Sequence, residues 1–168
     1  MYYANSYSDP RRAAEDVLHM HWDGSLPIRV DDIARRMGLQ VIRRTDPEFQ
    51  FSGYFRDASN TENGIPLIEF NGYDSFTRQR FTIAHELGHY VLKHGTSPRD
   101  YPDSFTTGTR DPRERAANQF AAEILMPADT VHDVVMSGHA SSIEEIANLF
   151  GVSTLAMGYR LDNIGLLL

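Results

Sequence analysis

The sequence predicts an α+β protein, mainly helical, with a small sheet of about three strands flanking one histidine-bearing helix. Three observations carry that expectation. Apolar residues recur at helical spacing up to Gly38, alternate with a period of two between Leu39 and Phe70, and return to helical spacing from Asp74 onward. Asp9-Pro10 and Asp111-Pro112 each pair a capping carboxylate with a proline suited to the first helical position. Segments rich in Gly, Pro, Asn and Asp separate the periodic stretches.

The elements follow in order. Asp9-Pro10 opens a helix whose inward face is Ala13, Ala14, Val17 and Leu18, and Gly24 closes it. Leu26-Pro27-Ile28 is a turn with an extended exit. A short helix begins at Val30-Asp31, turns Ile33, Ala34 and Met37 inward, and stops at Gly38. Strands are expected from Leu39 to Arg44, Phe51 to Arg56 and Pro66 to Phe70, with the polar turn DASNTENG before the third. Helix then runs from Asp74 to about His94. A loop, Gly95 to Thr109, leads to the helix capped by Asp111 and ended by Pro127. Short helices are expected at about Ala128–Met136, Ser142–Phe150 and Ser153–Asp162.

Composition narrows the function classes. The chain has 168 residues and 19.0 kDa, enough for one domain with a sizeable core. It has no cysteine, which excludes a disulfide scaffold, a thiolate nucleophile and thiolate metal ligation. Net charge is −7, the opposite of what phosphate-gripping domains carry. There is no secretory h-region at the N-terminus and no apolar run long enough to span a membrane, so a cytoplasmic location is expected.

The chemistry concentrates in RFTIAHELGHYVLKH, residues 80–94. His85 and His89 stand four apart. At about 100° per residue their directions differ by only about 40°, so both imidazoles can reach one ion. Glu86 sits between them, placed to reach a water on that ion; this is the zinc metalloprotease spacing. Gly88 costs helix stability, about 1 kcal/mol against alanine, which implies a close neighbour. His94 points about 180° from His85 and is expected at a solvated helix end. Zinc needs a third protein ligand, and without cysteine it must be His, Asp or Glu. The next helix offers Glu114 and Glu123, nine residues apart and on opposite faces, so one of them can look at the metal. Glu114 is better placed, with Asn118 on its face to hydrogen-bond a ligating histidine. Glu123 is expected to face solvent.

RFTIAHELGH, then 24 intervening residues, then ERAANQFAAEILMP closely resembles the ImmA/IrrE family of metallopeptidases. LPIRVDDIARRMGL (26–39), the strand end IEFN (68–71) and the tail from Ser142 to Leu166 extend the resemblance over nearly the whole chain. Ala116 departs from the polar residue that members often have there. The resemblance implies a zincin-like, gluzincin-type fold, with residues 1–127 as metallopeptidase core and 128–168 as a helical extension packed on it. It implies zinc ligands at His85, His89 and Glu114, with Glu86 as general base. It also implies a protein substrate, typically a helix-turn-helix repressor governing stress-response or mobile-element genes. A non-proteolytic toxin–antitoxin or interaction module beside a DNA-binding partner is the alternative.

Two further expectations complete the reading. The substrate would lie extended along an edge strand formed by Pro66 to Asn71, with Ile68, Glu69, Phe70 and Asn71 as its template. His132, Tyr101 and Arg110 are candidates for a second oxyanion donor. The tail IEEIANLFGVSTLAMGYRL looks like a helix-turn-helix, but residues 141–168 hold Glu144, Glu145 and Asp162 against Arg160 alone. Packing on the core or docking a protein suits that charge better than DNA, so no direct nucleic-acid contact is expected.

Overall fold

The computed structural model describes residues 9–96 and 111–166. In chain order the elements are α1 (Pro10–His21), α2 (Val30–Arg36), β1 (Gln40–Arg44), β2 (Gly53–Arg56), a 3₁₀ turn (Ala58–Asn60), β3 (Leu67–Asn71), α3 (Phe76–Val91), α4 (Pro112–Leu125), α5 (Ala128–Ser137), α6 (Ile143–Phe150) and α7 (Thr154–Asn163). The fold is the α+β arrangement that the periodicity predicts. Both Asp-Pro starts form as expected: Asp9 accepts the Arg11 N–H at 3.0 Å, and Asp111 accepts the Arg113 N–H at 2.9 Å. Helix α1 ends earlier than Gly24. Trp22 leaves the helix for an extended conformation, and its indole N–H donates to the Ser25 carbonyl at 2.9 Å, turning the chain there.

The sheet corrects the expected substrate template. Its order is β1-β3-β2, with β1 parallel and β2 antiparallel to β3. β3 is therefore the central strand, and its ladder groups are engaged on both sides. Ile68 faces Val41 on one side and Phe55 on the other. Ile68 and Phe70 are core residues. Glu69, buried on the other face, accepts from Arg44 and Arg56. Asn71 accepts the Tyr73 N–H at 2.9 Å and donates its amide to the Phe49 carbonyl at 3.3 Å. None of Ile68, Glu69, Phe70 and Asn71 lies on an open edge. β1 and β2 are the two edges, and β2 is the one that packs beside α3.

One hydrophobic cluster joins α1, α2, the sheet, α3, α4, α6 and α7. α4 packs against both α3 and α1. Two buried arginines tie the C-terminal helices to the rest. Arg80 of α3 donates to the Phe150 and Gly151 carbonyls at 3.1 and 2.9 Å, placing a cation at the negative end of α6. Burial lowers its pKa from the usual value. Arg160 of α7 donates to the Met126 carbonyl at 2.8 Å and pairs with Glu123.

That pair corrects a second expectation. Glu123 does not face solvent; it is 4% exposed. Its Oε1 accepts the Ala128 N–H at 3.1 Å, satisfying a donor at the start of α5, and its other oxygen takes the Arg160 guanidinium. On an isolated α4 the opposite face would be wet. Here α7 covers it and brings the counter-charge.

Candidate metal centre

α3 and α4 run antiparallel and touch along one line of side chains. Gly88 is what lets them approach: a Cβ there would meet Phe120 Cδ1 at 3.1 Å and the Ala117 Cα and carbonyl at 3.3 Å. The neighbour that the internal glycine implies is thus α4 itself. At this spacing His85 lies opposite Asn118, and His89 opposite Glu114.

His85, His89 and Glu114 converge, and their ligand atoms all lie within 4.8 Å of one another. His85 Nε2 is 3.1 Å from His89 Nε2 and 3.1 Å from Glu114 Oε2, and His89 Nε2 is 3.3 Å from Glu114 Oε1. A tetrahedral zinc ion with arms of about 2.0–2.1 Å needs ligand atoms about 3.3 Å apart. The two imidazole nitrogens stand about one such tetrahedral edge apart, and each meets one of the two Glu114 oxygens, so the carboxylate faces the same point as both rings.

The outer hydrogen bonds set the tautomers. Asn118 Oδ1 is 2.8 Å from His85 Nδ1; an amide oxygen only accepts, so His85 carries its proton on Nδ1 and presents a lone pair at Nε2. His89 Nδ1 lies 3.0 Å from His94 Nδ1. Burial, followed by the nearby His89 and Arg113, lowers the His94 pKa to about 4, leaving it neutral and able to accept from His89. Two imidazole lone pairs and a carboxylate aimed at one point form a donor set for a cation.

His94 is the residue that sequence reasoning missed. Helical extrapolation placed it on the far side, but α3 stops at Val91. Lys93 adopts a positive φ of 57°, the Lys93 N–H donates to the Tyr90 carbonyl at 3.2 Å, and the His94 N–H donates to the His89 carbonyl at 3.0 Å. This reversal at the helix end returns the His94 ring to His89. A histidine five residues after the last ligand was the available signal.

Glu86 is fully buried and lies against the sheet rather than α4. A Cβ on Gly53 of β2 would stand 3.3 Å from Glu86 Oε1 and 2.2 Å from a Thr82 methyl, so only glycine lets that strand lie over the helix here. Phe81 stacks on His85, with centroids 6.3 Å apart and planes at 30°. Of the oxyanion candidates, His132 is an exposed α5 residue beside Asp133 and outside the three-residue cluster; Tyr101 and Arg110 fall outside the described residues.

A family model described as the IrrE N-terminal-like domain, Peptidase_M78, matches residues 34–162. The chain belongs to this peptidase family. The match runs from within α2 through α7, so it takes in both metal-bearing helices and most of the tail. Metallopeptidase ImmA of Bacillus subtilis (strain 168) is 31% identical over 99 residues, which are 59% of this chain and 57% of that protein. The chain therefore spans little more than half the length of that relative. Among the described residues no helix is long and apolar enough to cross a membrane.

Proposed function

We propose that the chain is a zinc-dependent endopeptidase acting on a protein substrate, with Glu86 as general base. The observation that carries this reading is the convergence of His85 Nε2, His89 Nε2 and the Glu114 carboxylate at 3.1 to 3.3 Å, with Glu86 one residue from a ligand. Zinc held there supplies Lewis acidity, acidifying a water and polarising a carbonyl. Asn118 and His94 keep the two imidazoles turned toward the ion. Glu86 accepts the proton of the attacking water and delivers it to the leaving amine as the peptide bond breaks. Burial of Glu86 excludes bulk water from that exchange.

The template strand moves to β2. It ends the sheet on the α3 side, and Gly53 brings its backbone against Glu86. An extended substrate pairing with this edge would cross the metal-bearing face of α3. A helix-turn-helix repressor or antitoxin is the substrate that the family resemblance of the sequence implies. Direct DNA contact is disfavoured, because Arg160, the one arginine of the tail, is buried and engaged by Glu123. The cysteine-free chain suits a cytoplasmic setting.

The deciding experiment compares wild type and Glu86→Gln, each loaded with zinc, on a candidate repressor. Cleavage should fall by about 10²–10⁴-fold while zinc content stays at the wild-type level. A variant that still cuts at the wild-type rate removes Glu86 from the mechanism.

A further inference from the structure

His94 orients His89, yet it sits on a segment that α3 no longer holds. The helix ends at Val91. Lys93 and Gly95, on either side of His94, both take left-handed backbone angles, with φ of 57° and 75°. For lysine that conformation is costly, and it persists where the surroundings fix it. The His94 N–H bond to the His89 carbonyl closes the reversal from the helix side. One backbone bond leaves the chain beyond it able to pivot, so the aim of the His94 ring depends on what holds the residues that follow.

Thr96 supplies that second anchor. Its Oγ1 accepts the Asp57 N–H at 3.2 Å and the Asn60 side-chain amide at 2.8 Å, partners 39 and 36 residues away in sequence. Asp57 precedes and Asn60 ends the 3₁₀ turn that follows β2. The turn is closed by its own bonds: the Asn60 N–H donates to the Asp57 carbonyl at 2.8 Å, and the Thr61 hydroxyl donates to the Ala58 carbonyl at 3.0 Å. The strand that leads into it is fixed against α3, where Phe55 meets Tyr90 edge-on with centroids 5.9 Å apart. The Tyr90 carbonyl in turn accepts the Lys93 N–H. The contacts close a circuit from β2 through the turn, Thr96, His94 and His89, and back along α3 to Tyr90. β2 therefore bears on the centre twice, through Gly53 beside Glu86 and through this turn on His94.

We propose that the hydrogen bonds on Thr96 form a latch that positions the second imidazole. By holding Thr96, the turn after β2 keeps the His94 ring accepting from His89 Nδ1, and so keeps His89 Nε2 aimed at the metal. Asn60 and Thr96 are positioning residues; neither touches the ion or the substrate. The proposal rests on the reading of His85, His89 and Glu114 as the metal centre, and it extends that centre to two residues outside the ligand-bearing helices. An ordinary tie between two loops would affect folding stability alone, whereas a latch also changes metal affinity, and only through His94.

The test measures zinc affinity of the full chain by chelator competition, beside denaturant unfolding of the metal-free protein. Thr96→Val removes both bonds and keeps the side-chain shape; affinity should fall by about tenfold. Asn60→Ala removes one bond at an exposed position and should cost about threefold. Thr96→Ser keeps the acceptor and should stay within about twofold of wild type. With cobalt in place of zinc, the visible absorption of Thr96→Val should change in the same sense as that of His94→Ala, while Thr96→Ser keeps the wild-type spectrum. The decisive measurement places Thr96→Val in the His94→Ala background, where it should cost no further affinity because the residue it acts through is gone. Asn60→Ala in the same cycle decides the matter if Thr96→Val does not fold by circular dichroism. Losses that add to that of His94→Ala, or wild-type affinity in both single variants, overturn the latch while the metal centre stands. A wild type that takes up no zinc overturns the centre and the latch together.

Discussion

The two glutamates of α4 have opposite roles, set by the direction each faces. Glu114, in the first turn, looks at α3 and meets two imidazoles whose lone pairs face the same point. Glu123, near the other end, looks at α7 and meets a guanidinium and a backbone N–H. At Glu123 every charge has its complement within the protein, and the cluster is complete as scaffold. At Glu114 the acceptors converge, and a cation is what completes them. The composition of a buried polar cluster thus separates the two roles better than burial does, since both glutamates are largely shielded from solvent.

Exchanging the two residues' fates would break this comparison. The largest effect is expected for Glu114→Ala: zinc measured by atomic absorption should drop from about one per chain to near zero, while Glu123→Ala retains the metal. Glu123→Ala should instead leave Arg160 buried without its partner, at a cost of about 3–5 kcal/mol in denaturant unfolding of the metal-loaded protein. Replacing both as Glu123→Leu with Arg160→Met should recover most of that loss, because neither charge then stays unpaired. A double variant as unstable as the single one would mean that the pair does more than satisfy itself.

Smaller effects sharpen the picture. Asn118→Ala and His94→Ala each remove a partner that orients a ligand, and each should weaken zinc affinity about 10–100-fold in a chelator competition, without unfolding the chain. The smallest effect belongs to the exposed carboxylates. Hydrogen bonds from Arg44 hold Asp46 below its usual pKa; backbone and side-chain hydrogen bonds from Arg113 do the same for Asp111. A depressed folded-state pKa contributes stability above the unfolded value near 3.8 and loses it as the pH falls below that. Asp46→Asn and Asp111→Asn should each lower stability slightly near neutral pH and flatten the acid limb of a thermal-stability profile, the difference from wild type vanishing at low pH.

Much of the site could be read in the sequence because its pieces are local. The ligand pair and Glu86 follow from helical periodicity, and Asp111-Pro112 marks where the second helix begins. Gly88 announced a close neighbour, and α4 is that neighbour. The three misplaced features share a different property. His94 depends on a helix ending at Val91, Glu123 on a helix more than thirty residues downstream, and the template strand on which side β1 takes beside β3. None of these is encoded within a turn or two of the residue concerned.

By itself, then, the sequence determined the helix and strand order, the HExxH face, the preference for Glu114 and, by lacking cysteine, a ligand set of imidazole and carboxylate. These follow from dihedral periodicity and side-chain chemistry, which act over a few residues. Tertiary structure alone decided that β3 is central and β2 the edge over Glu86, that Arg160 neutralises Glu123, and that His94 turns back to His89. Each is a contact between segments whose mutual placement minimises exposed apolar area and unpaired charge across the whole chain. That balance has no local signature.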